Sequence, residues 1–312
     1  MLPRNPKLQR RAWAEVSAPN LPFFPFAAEQ TTLPAPLTLR ELRKCCRFNV
    51  PFLKIVREHL GLTKRRHKSV TQRVAVRTDL TGNPVENVPL LAVAAEEYGR
   101  LRPHLEPVEI GHRQILHEAG EKIRYAYFLN DGLASMVVIT RDGRSVEIGL
   151  IGREGIMGTP LAVGLGREPH RAIMQIPGNA LRIRAEILEQ ILPYVPDLQL
   201  ITHRYVLMRG LQVAQIAACN RLHEIEQRLA RWLLMCQDRV EAKVLPVTHD
   251  FIAQMLGTGR PSVTLAAGIL QRAGMIENLR GNVKIVNRKS LEQAACECYR
   301  AIRQISKRIS LR

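Results

Sequence analysis

The spacing of hydrophobic residues changes along this chain, and each change predicts a different kind of element. From Pro89 to Leu101 an apolar spacing of three and four predicts a helix. The side chains expected to face inward from it are Leu91, Val93, Ala94, Tyr98 and Leu101. From Val108 to Ile183 the period falls to two, which is typical of strands. Turn signals interrupt this segment at Asp131-Gly132, Asp142-Gly143 and Pro177-Gly178. Short strands with such frequent turns predict an antiparallel barrel or sandwich.

A long helix is predicted next, after a short one from Glu186 to Leu192. It begins near Pro196 and carries two apolar lines on different faces. One line consists of Leu198, Ile201, Tyr205, Met208, Leu211 and Gln215, and the other of Leu200, Leu207, Ala214 and Ala218. Two apolar faces need two packing surfaces, so we expect one to cover the chain's own barrel and the other to pair with a second copy. A helix buried inside a monomer is the alternative.

The segment 221–239 predicts another amphipathic helix, and the segment after it matches a helix-turn-helix. The inward residues expected in the amphipathic helix are Leu222, Ile225, Leu229, Trp232 and Leu233. In 248–286, counted from His249, the fifth residue is the small Ala253, the ninth is Gly257 and the fifteenth is Val263. A small residue permits close helix crossing, glycine accepts the left-handed turn, and the valine locks the second helix inward. An αα-hairpin beside a β-hairpin in an ordinary core is the alternative.

The second helix of this unit has a polar face suited to the major groove. Its apolar side is expected to hold Val263, Ala266, Ala267, Ile269 and Leu270. We predict that Arg260, Ser262 and Thr264 contact base edges, because a guanidinium pairs bidentately with guanine and the hydroxyls can reach a base. A following hairpin, with Arg280-Gly281-Asn282 as its turn, predicts a wing. The residues expected to contact phosphate are Thr248, His249, Arg280 and Lys284.

The distribution of charge along the chain is more informative about a binding partner than the total net charge. The 312 residues carry a net charge of +18, with 46 Lys and Arg against 28 Asp and Glu. Residues 1–80 contribute +11, residues 81–220 contribute −1 and residues 221–312 contribute +8. Basic ends favour a nucleic-acid partner, double-stranded DNA here, although a basic surface without a partner is also compatible with the charge. The Pro-rich leader contains the cluster from Lys64 to Lys68, which raises the further hypothesis that the leader is the main nucleic-acid contact.

The arrangement resembles the Crp/Fnr family of transcription regulators over about residues 88–290. The segments that carry the resemblance are "HEAGEKIRYAYFLNDG", "RDGRSVEIGLIGREGIMG" and the helix-turn-helix, with glycines at 120, 132, 143, 152 and 158. The resemblance implies an α+β protein with an antiparallel β-roll of the cyclic-nucleotide-binding type, a dimerisation helix and a C-terminal winged helix-turn-helix. It also implies a homodimer on a palindromic site with RNA polymerase as partner. The expected divisions are a poorly ordered extension over 1–84, a sensor roll over 85–196, a dimer helix over 197–220 and a DNA-binding domain over 221–312.

The sensor roll departs from the cyclic-AMP-binding members of that family. Thr159 follows Gly158 where those members have a glutamate, and Glu168 or Pro169 stands at their arginine position. A buried glutamate repels a phosphate, so we predict that the usual cyclic-AMP cassette is lost. The sequence does not identify an effector. The residues predicted to line an effector pocket are Gly152, Glu154, Gly158, Thr159 and Arg171. A ligand-binding module that acts through protein contacts, with vestigial DNA binding, is the alternative function.

Cofactor, metal and catalytic chemistry are not predicted. The six cysteines make no disulfide scaffold, and Cys45-Cys46 cannot supply an iron–sulfur site of the family's usual arrangement. Cys296 and Cys298 lie in a predicted terminal helix, where side chains at that spacing diverge by roughly 200°. Haem would need an axial ligand, and nothing distinguishes His112, His117 or His170. No zinc-protease, phosphate-loop or nucleophile-elbow motif occurs, and no apolar run reaches the ~20 residues of a membrane span, so we expect a cytoplasmic protein that is not an enzyme.

Overall fold

A computed structural model describes residues 77–308 of the chain. The leader up to residue 76, with its basic cluster and Cys45-Cys46, lies outside the described residues. Residues 77–84, which the sequence assigned to the extension, contact the folded part directly. The Arg77 guanidinium donates to the backbone oxygens of Leu90 and Val93, and the Tyr98 hydroxyl donates to the backbone oxygen of Thr78.

Two short helices replace the single one predicted over 89–101. Helix α1 spans Val88–Ala92 and α2 spans Ala95–Leu101. The chain is extended at Val93, and the amide of Ala94 donates to the Asp197 carboxylate rather than continuing a helix. The break changes the helical phase, so Leu91 and Ala94 are exposed and the prediction that they face inward was wrong.

Seven antiparallel strands form the predicted roll. They are β1 Glu106–Ile110, β2 Ile115–His117, β3 Tyr125–Leu129, β4 Leu133–Ile139, β5 Ser145–Ile151, β6 Arg171–Ile176 and β7 Gly178–Arg184. One sheet has the order β1-β7-β3 and the other β2-β6-β4-β5. Alternate residues of both sheets fill the space between them, with Ile110, Leu129, Ile151 and Met174 buried there. The period-two pattern therefore identified the architecture correctly.

The long helix is present, but its buried residues leave the predicted heptad positions after Met208. Helix α3 spans Ala185–Ile191 and α4 spans the 27 residues Pro196–Leu222. The buried line passes from Met208 to Gln212, Ile216 and Cys219, so Leu211, which the sequence placed on one line with Met208, is exposed on a different face. A straight α-helix drifts about 20° per heptad against a seven-residue repeat, which accounts for the change. The second apolar line is exposed throughout.

The C-terminal part contains the predicted winged helix-turn-helix. Its elements are α5 Ile225–Val240, β8 Val244–Leu245, α6 His249–Leu256, α7 Arg260–Arg272, β9 Ile276–Leu279 and β10 Asn282–Ile285. Helix α5 starts later than predicted, because Glu224 and Gln227 form a capping box there. Leu222 consequently ends α4 and is exposed, contrary to the prediction. Strand β8 joins the wing sheet beside β10 and was missed because two residues show no period.

The predicted terminal helix is interrupted between Ala294 and Cys298, next to its two cysteines. Helix α8 spans Arg288–Ala294, Ala295 is extended, and α9 spans Cys298–Arg308. Cys296 therefore lies in the break and Cys298 opens the next helix, so the argument that their side chains diverge on one helix was wrong. No helix within residues 77–308 is both long and apolar enough for a bilayer.

Candidate nucleic-acid interface

A side-chain cap starts the first helix of the helix-turn-helix, and a glycine in the left-handed conformation ends it at the turn. The Thr248 hydroxyl accepts from the Phe251 amide at 3.2 Å and caps α6. Gly257 ends that helix at φ 61°. Val263 of α7 is fully buried against Ile252 and Leu256. Each of these features agrees with the pattern of residue types in the sequence.

Helix α7 exposes its polar face to solvent, and two apolar residues, Leu265 and Ile269, are exposed as well. Arg260, Ser262 and Thr264 are exposed, as predicted. Ile269 is 39% exposed, so its assignment to the core was wrong. Leu265 is 63% exposed and lies next to Thr264 on this surface, where it can contact a thymine methyl. The sequence offered no signal for Leu265 because a leucine in an amphipathic helix is ordinarily assigned to the core.

Internal contacts already engage three of the predicted DNA-contacting residues, Arg260, His249 and Thr264. The Arg260 guanidinium lies 3.1 Å from the Asp250 carboxylate, with both side chains about two-thirds exposed. His249 Nδ1 lies 3.2 Å from Thr264 Oγ1, and its Nε2 lies 3.2 Å from Asn278 Oδ1. His249 thus connects α6, α7 and the wing, whereas the exposed Arg260–Asp250 pair is weak enough for DNA to replace.

The wing places one cation at its tip and one beside a carboxylate. Arg280 is exposed next to Gly281, whose φ of 74° makes the tight turn. Lys284 forms an ion pair with Glu277 at 3.0 Å. Arg280 is therefore better placed for a phosphate than Lys284.

The roll and the helix-turn-helix share a core centred on β4, β5 and α5. Leu133, Val137 and Leu150 of the roll pack in the same cluster as Trp232. The Trp232 indole donates to the Glu147 carboxylate at 3.0 Å, and the Ser135 hydroxyl donates to it at 2.6 Å. A second connection runs from Arg239 of α5 to Glu154 of the roll at 2.7 Å. These contacts join the roll to α5 in one packed unit.

Burial raises the pKa of Glu147 from 4.5 to about 7, and this predicts a pH-dependent stability. Because the folded pKa is raised, the contribution of Glu147 is fully present below pH 4.5 and is lost as the pH rises through about 7. We expect the free energy of unfolding to fall by up to ~3 kcal/mol across this window through this group. Chemical denaturation of the wild type and of Glu147→Gln at a series of pH values measures the difference. The exposed Glu109→Gln is the control, and an equally steep pH dependence in Glu147→Gln would contradict the assignment.

The five residues predicted to form an effector pocket do not line one cavity. Thr159 borders a cavity of about 790 Å³ between the roll and α4. Arg171 borders a different cavity of about 240 Å³ and pairs with Glu118 at 2.8 Å. Gly152 packs against Glu154 and Arg239, and Gly158 packs against Ala126. Only Thr159 therefore reaches the larger cavity.

The larger cavity is mostly apolar, and a buried carboxylate lies beside it. Its wall includes Val163, Leu165 and Val206, with Lys122, Arg167 and His203 as its basic residues. Glu168 lies between two members of this wall, Arg167 and Pro169, and is itself buried, which raises the pKa of its carboxyl. His117 and His170 each approach Glu168 at 3.8 Å, and burial lowers the pKa of both imidazoles. The wall thus carries two fixed positive charges, Lys122 and Arg167, with a buried carboxyl beside them.

Comparison with known proteins matches two segments of the chain to family models. Residues 107–193 match the model of the cyclic nucleotide-binding domain, and residues 227–294 match that of the Crp-like helix-turn-helix domain. The chain is 25% identical to the global nitrogen regulator of Synechocystis sp. over 187 residues, which cover 56% of this chain and 81% of that protein.

Solved structures share the fold at lower identity. A structure described as a transcriptional regulator of the Crp/Fnr family from Eubacterium rectale superposes with a TM-score of 0.54 at 17% identity, covering 65% of this chain and 94% of that one. The c-di-GMP responsive global regulator CLP of Xanthomonas campestris gives 0.53 at 18% identity, covering 62% and 99%.

Proposed function

The chain belongs to the Crp/Fnr family of transcription regulators, and from this premise we propose that it is a cytoplasmic homodimer that binds a palindromic DNA site. The observation that carries the proposal is the exposed surface of α7, where Arg260, Ser262 and Thr264 stand on a capped and tightly packed helix-turn-helix. In this proposal Arg260 leaves Asp250 and pairs with a guanine. Arg280 and Lys284 of the wing and the first turn of α6, with Thr248 and His249, contact phosphate.

The exposed apolar line of α4 supports the homodimer. Leu200, Leu207 and Leu211 are between 44% and 59% exposed, and they lie at helical spacing on one face. Ala214 and Ala218 continue the same exposed face toward the C-terminal end of α4. A second copy of α4 packed along this line removes these leucines from water and sets two α7 helices symmetrically. RNA polymerase is the partner proposed for the bound dimer.

The proposed effector site is the cavity beside α4, without the cyclic-AMP cassette. Its wall is largely apolar, and His203 and Val206 come from the dimerisation helix itself. A ligand bound there contacts both the roll and the helix that sets the spacing of the DNA-binding domains. The buried Glu168 supports an effector other than a cyclic nucleotide held by its phosphate.

Selection of bound sequences from random duplexes by the full chain tests the proposal. We expect a palindrome with half-sites one helical turn apart, ~34 Å. A selected pool with no common sequence, together with micromolar binding of cyclic AMP or cyclic di-GMP in calorimetry, would favour the ligand-binding module instead. The cavity of about 790 Å³ is the observation behind that second candidate.

A further inference from the structure

Three thiols and one imidazole meet where the dimerisation helix ends. Cys219 lies in the last turn of α4 and His223 caps that helix, while Cys296 lies in the break between α8 and α9 and Cys298 is the first residue of α9. The ligand atoms of these four residues all lie within 4.8 Å of one another. The three cysteines form a buried cluster of their own, apart from the apolar cores.

The distances fit ligands that share one tetrahedral ion. Cys219 Sγ lies 3.4 Å from Cys296 Sγ, and Cys298 Sγ lies 3.6 Å from His223 Nδ1. Ligands at the usual Zn–S and Zn–N bond lengths of a tetrahedral site lie about 3.5–3.8 Å apart. An iron–sulfur cluster distributes its thiolates over separate irons and spreads them further. We propose that Cys219, His223, Cys296 and Cys298 bind one structural zinc ion.

The surrounding groups are those that a zinc site requires. His223 Nε2 donates to the Glu297 carboxylate at 3.0 Å, which leaves Nδ1 as the ligating nitrogen. The Gln215 amide donates to Cys298 Sγ at 3.1 Å. This arrangement orients two of the four ligands before the ion binds.

A buried arginine balances the charge of the proposed site. Arg231 is 2% exposed, and its guanidinium donates to Met235 Sδ at 3.3 Å. Its positive charge lies close enough to act on both Cys219 and Cys296. Zinc with three thiolates carries a net charge of −1, which such an arginine offsets.

The ion fastens the C-terminal segment to the hinge between α4 and the DNA-binding domain. Helix α9 already packs on α4, where the Gln212 amide donates to Ser306 Oγ at 3.0 Å. The zinc adds a bond from Cys296 and Cys298 to the residues that precede α5. Loss of the ion should therefore loosen residues 288–308 and raise their hydrogen exchange.

Metal analysis of the full chain, purified with reductant and dialysed against a weak chelator, tests the site. We expect one zinc ion per chain in the wild type, and its loss in the double variant Cys296→Ser/Cys298→Ser. Cys236→Ser is the matched control, since this buried thiol of α5 lies outside the cluster. Cys45→Ser/Cys46→Ser is the second control, and both should keep the ion.

Cobalt substitution of the wild type tests the ligands without any variant. A tetrahedral site with three thiolates gives Co²⁺ intense d–d bands and a thiolate charge-transfer band. Three results would overturn the proposal. These are a reduced wild type without stoichiometric zinc, zinc retained by the double variant, and a Cys219–Cys296 disulfide in freshly purified protein.

Discussion

Leu207→Glu should convert the protein from a dimer to a monomer and lower its affinity for a palindromic site by about 10²–10⁴-fold. Leu207 is 59% exposed at the middle of the exposed line of α4. In a dimer two such positions face each other, so the variant would place two carboxylates in an apolar contact. A monomer binds only one half-site, so the affinity gained when two linked DNA-binding domains bind both half-sites together is lost.

Sedimentation and a DNA titration of the same samples measure this effect. Leu80→Glu is the control, because Leu80 is 53% exposed outside α4 and should leave both assembly and affinity unchanged. The folded content should stay at the wild-type level, since Leu207 has few buried neighbours to lose. A Leu207→Glu protein that remains dimeric would show that the dimer uses another surface.

Arg260→Ala should lower the affinity for the selected site by about 1–3 kcal/mol and relax the choice of base at one position in each half-site. The reason is that a bidentate guanidinium distinguishes guanine from the other bases, and alanine does not. The competing contact with Asp250 is exposed and contributes little, so its loss should not unfold the domain. Binding isotherms on the selected site and on single-base variants measure both the affinity and the specificity.

Arg280→Ala supplies the matched comparison for Arg260. Both arginines are exposed cations of the same domain, but Arg280 lies at the wing tip. Its removal should weaken binding equally on all sequences and reduce the salt slope by about 0.9 for each protomer, ~1.8 for the dimer. An equal loss on all sequences for Arg260→Ala as well would show that Arg260 contacts phosphate rather than a base.

Sequence patterns predicted the helices and strands of this protein wherever a single short-range preference, such as alternating burial or helix capping, determines the local structure. The period-two segment identified the roll, and the small–glycine–valine spacing identified the helix-turn-helix. Thr248 as N-cap and Gly257 as left-handed turn follow from preferences that act over a few residues. The predictions for the leader lie outside the described residues and stay predictions.

Element ends and exposed faces were less predictable, because distant contacts decide them. Asp197 accepts the amide of Ala94 from across the fold and so ends the helix that apolar spacing alone would continue. The drift of α4 turned Leu211 outward, and Leu265 is exposed because no element within residues 77–308 covers that side of α7.

The sequence by itself determined the fold class, the order of the elements and the DNA-binding helix, since short-range backbone preferences and periodic burial suffice for these. Only the tertiary structure decided which distant side chains meet. Cys219 and His223 stand more than seventy residues before Cys296 and Cys298, and a break between α8 and α9 brings the two pairs together. Glu147 and Trp232 likewise meet only because the roll packs on α5. Such contacts depend on the packing of whole elements in three dimensions, and no spacing along the chain encodes them.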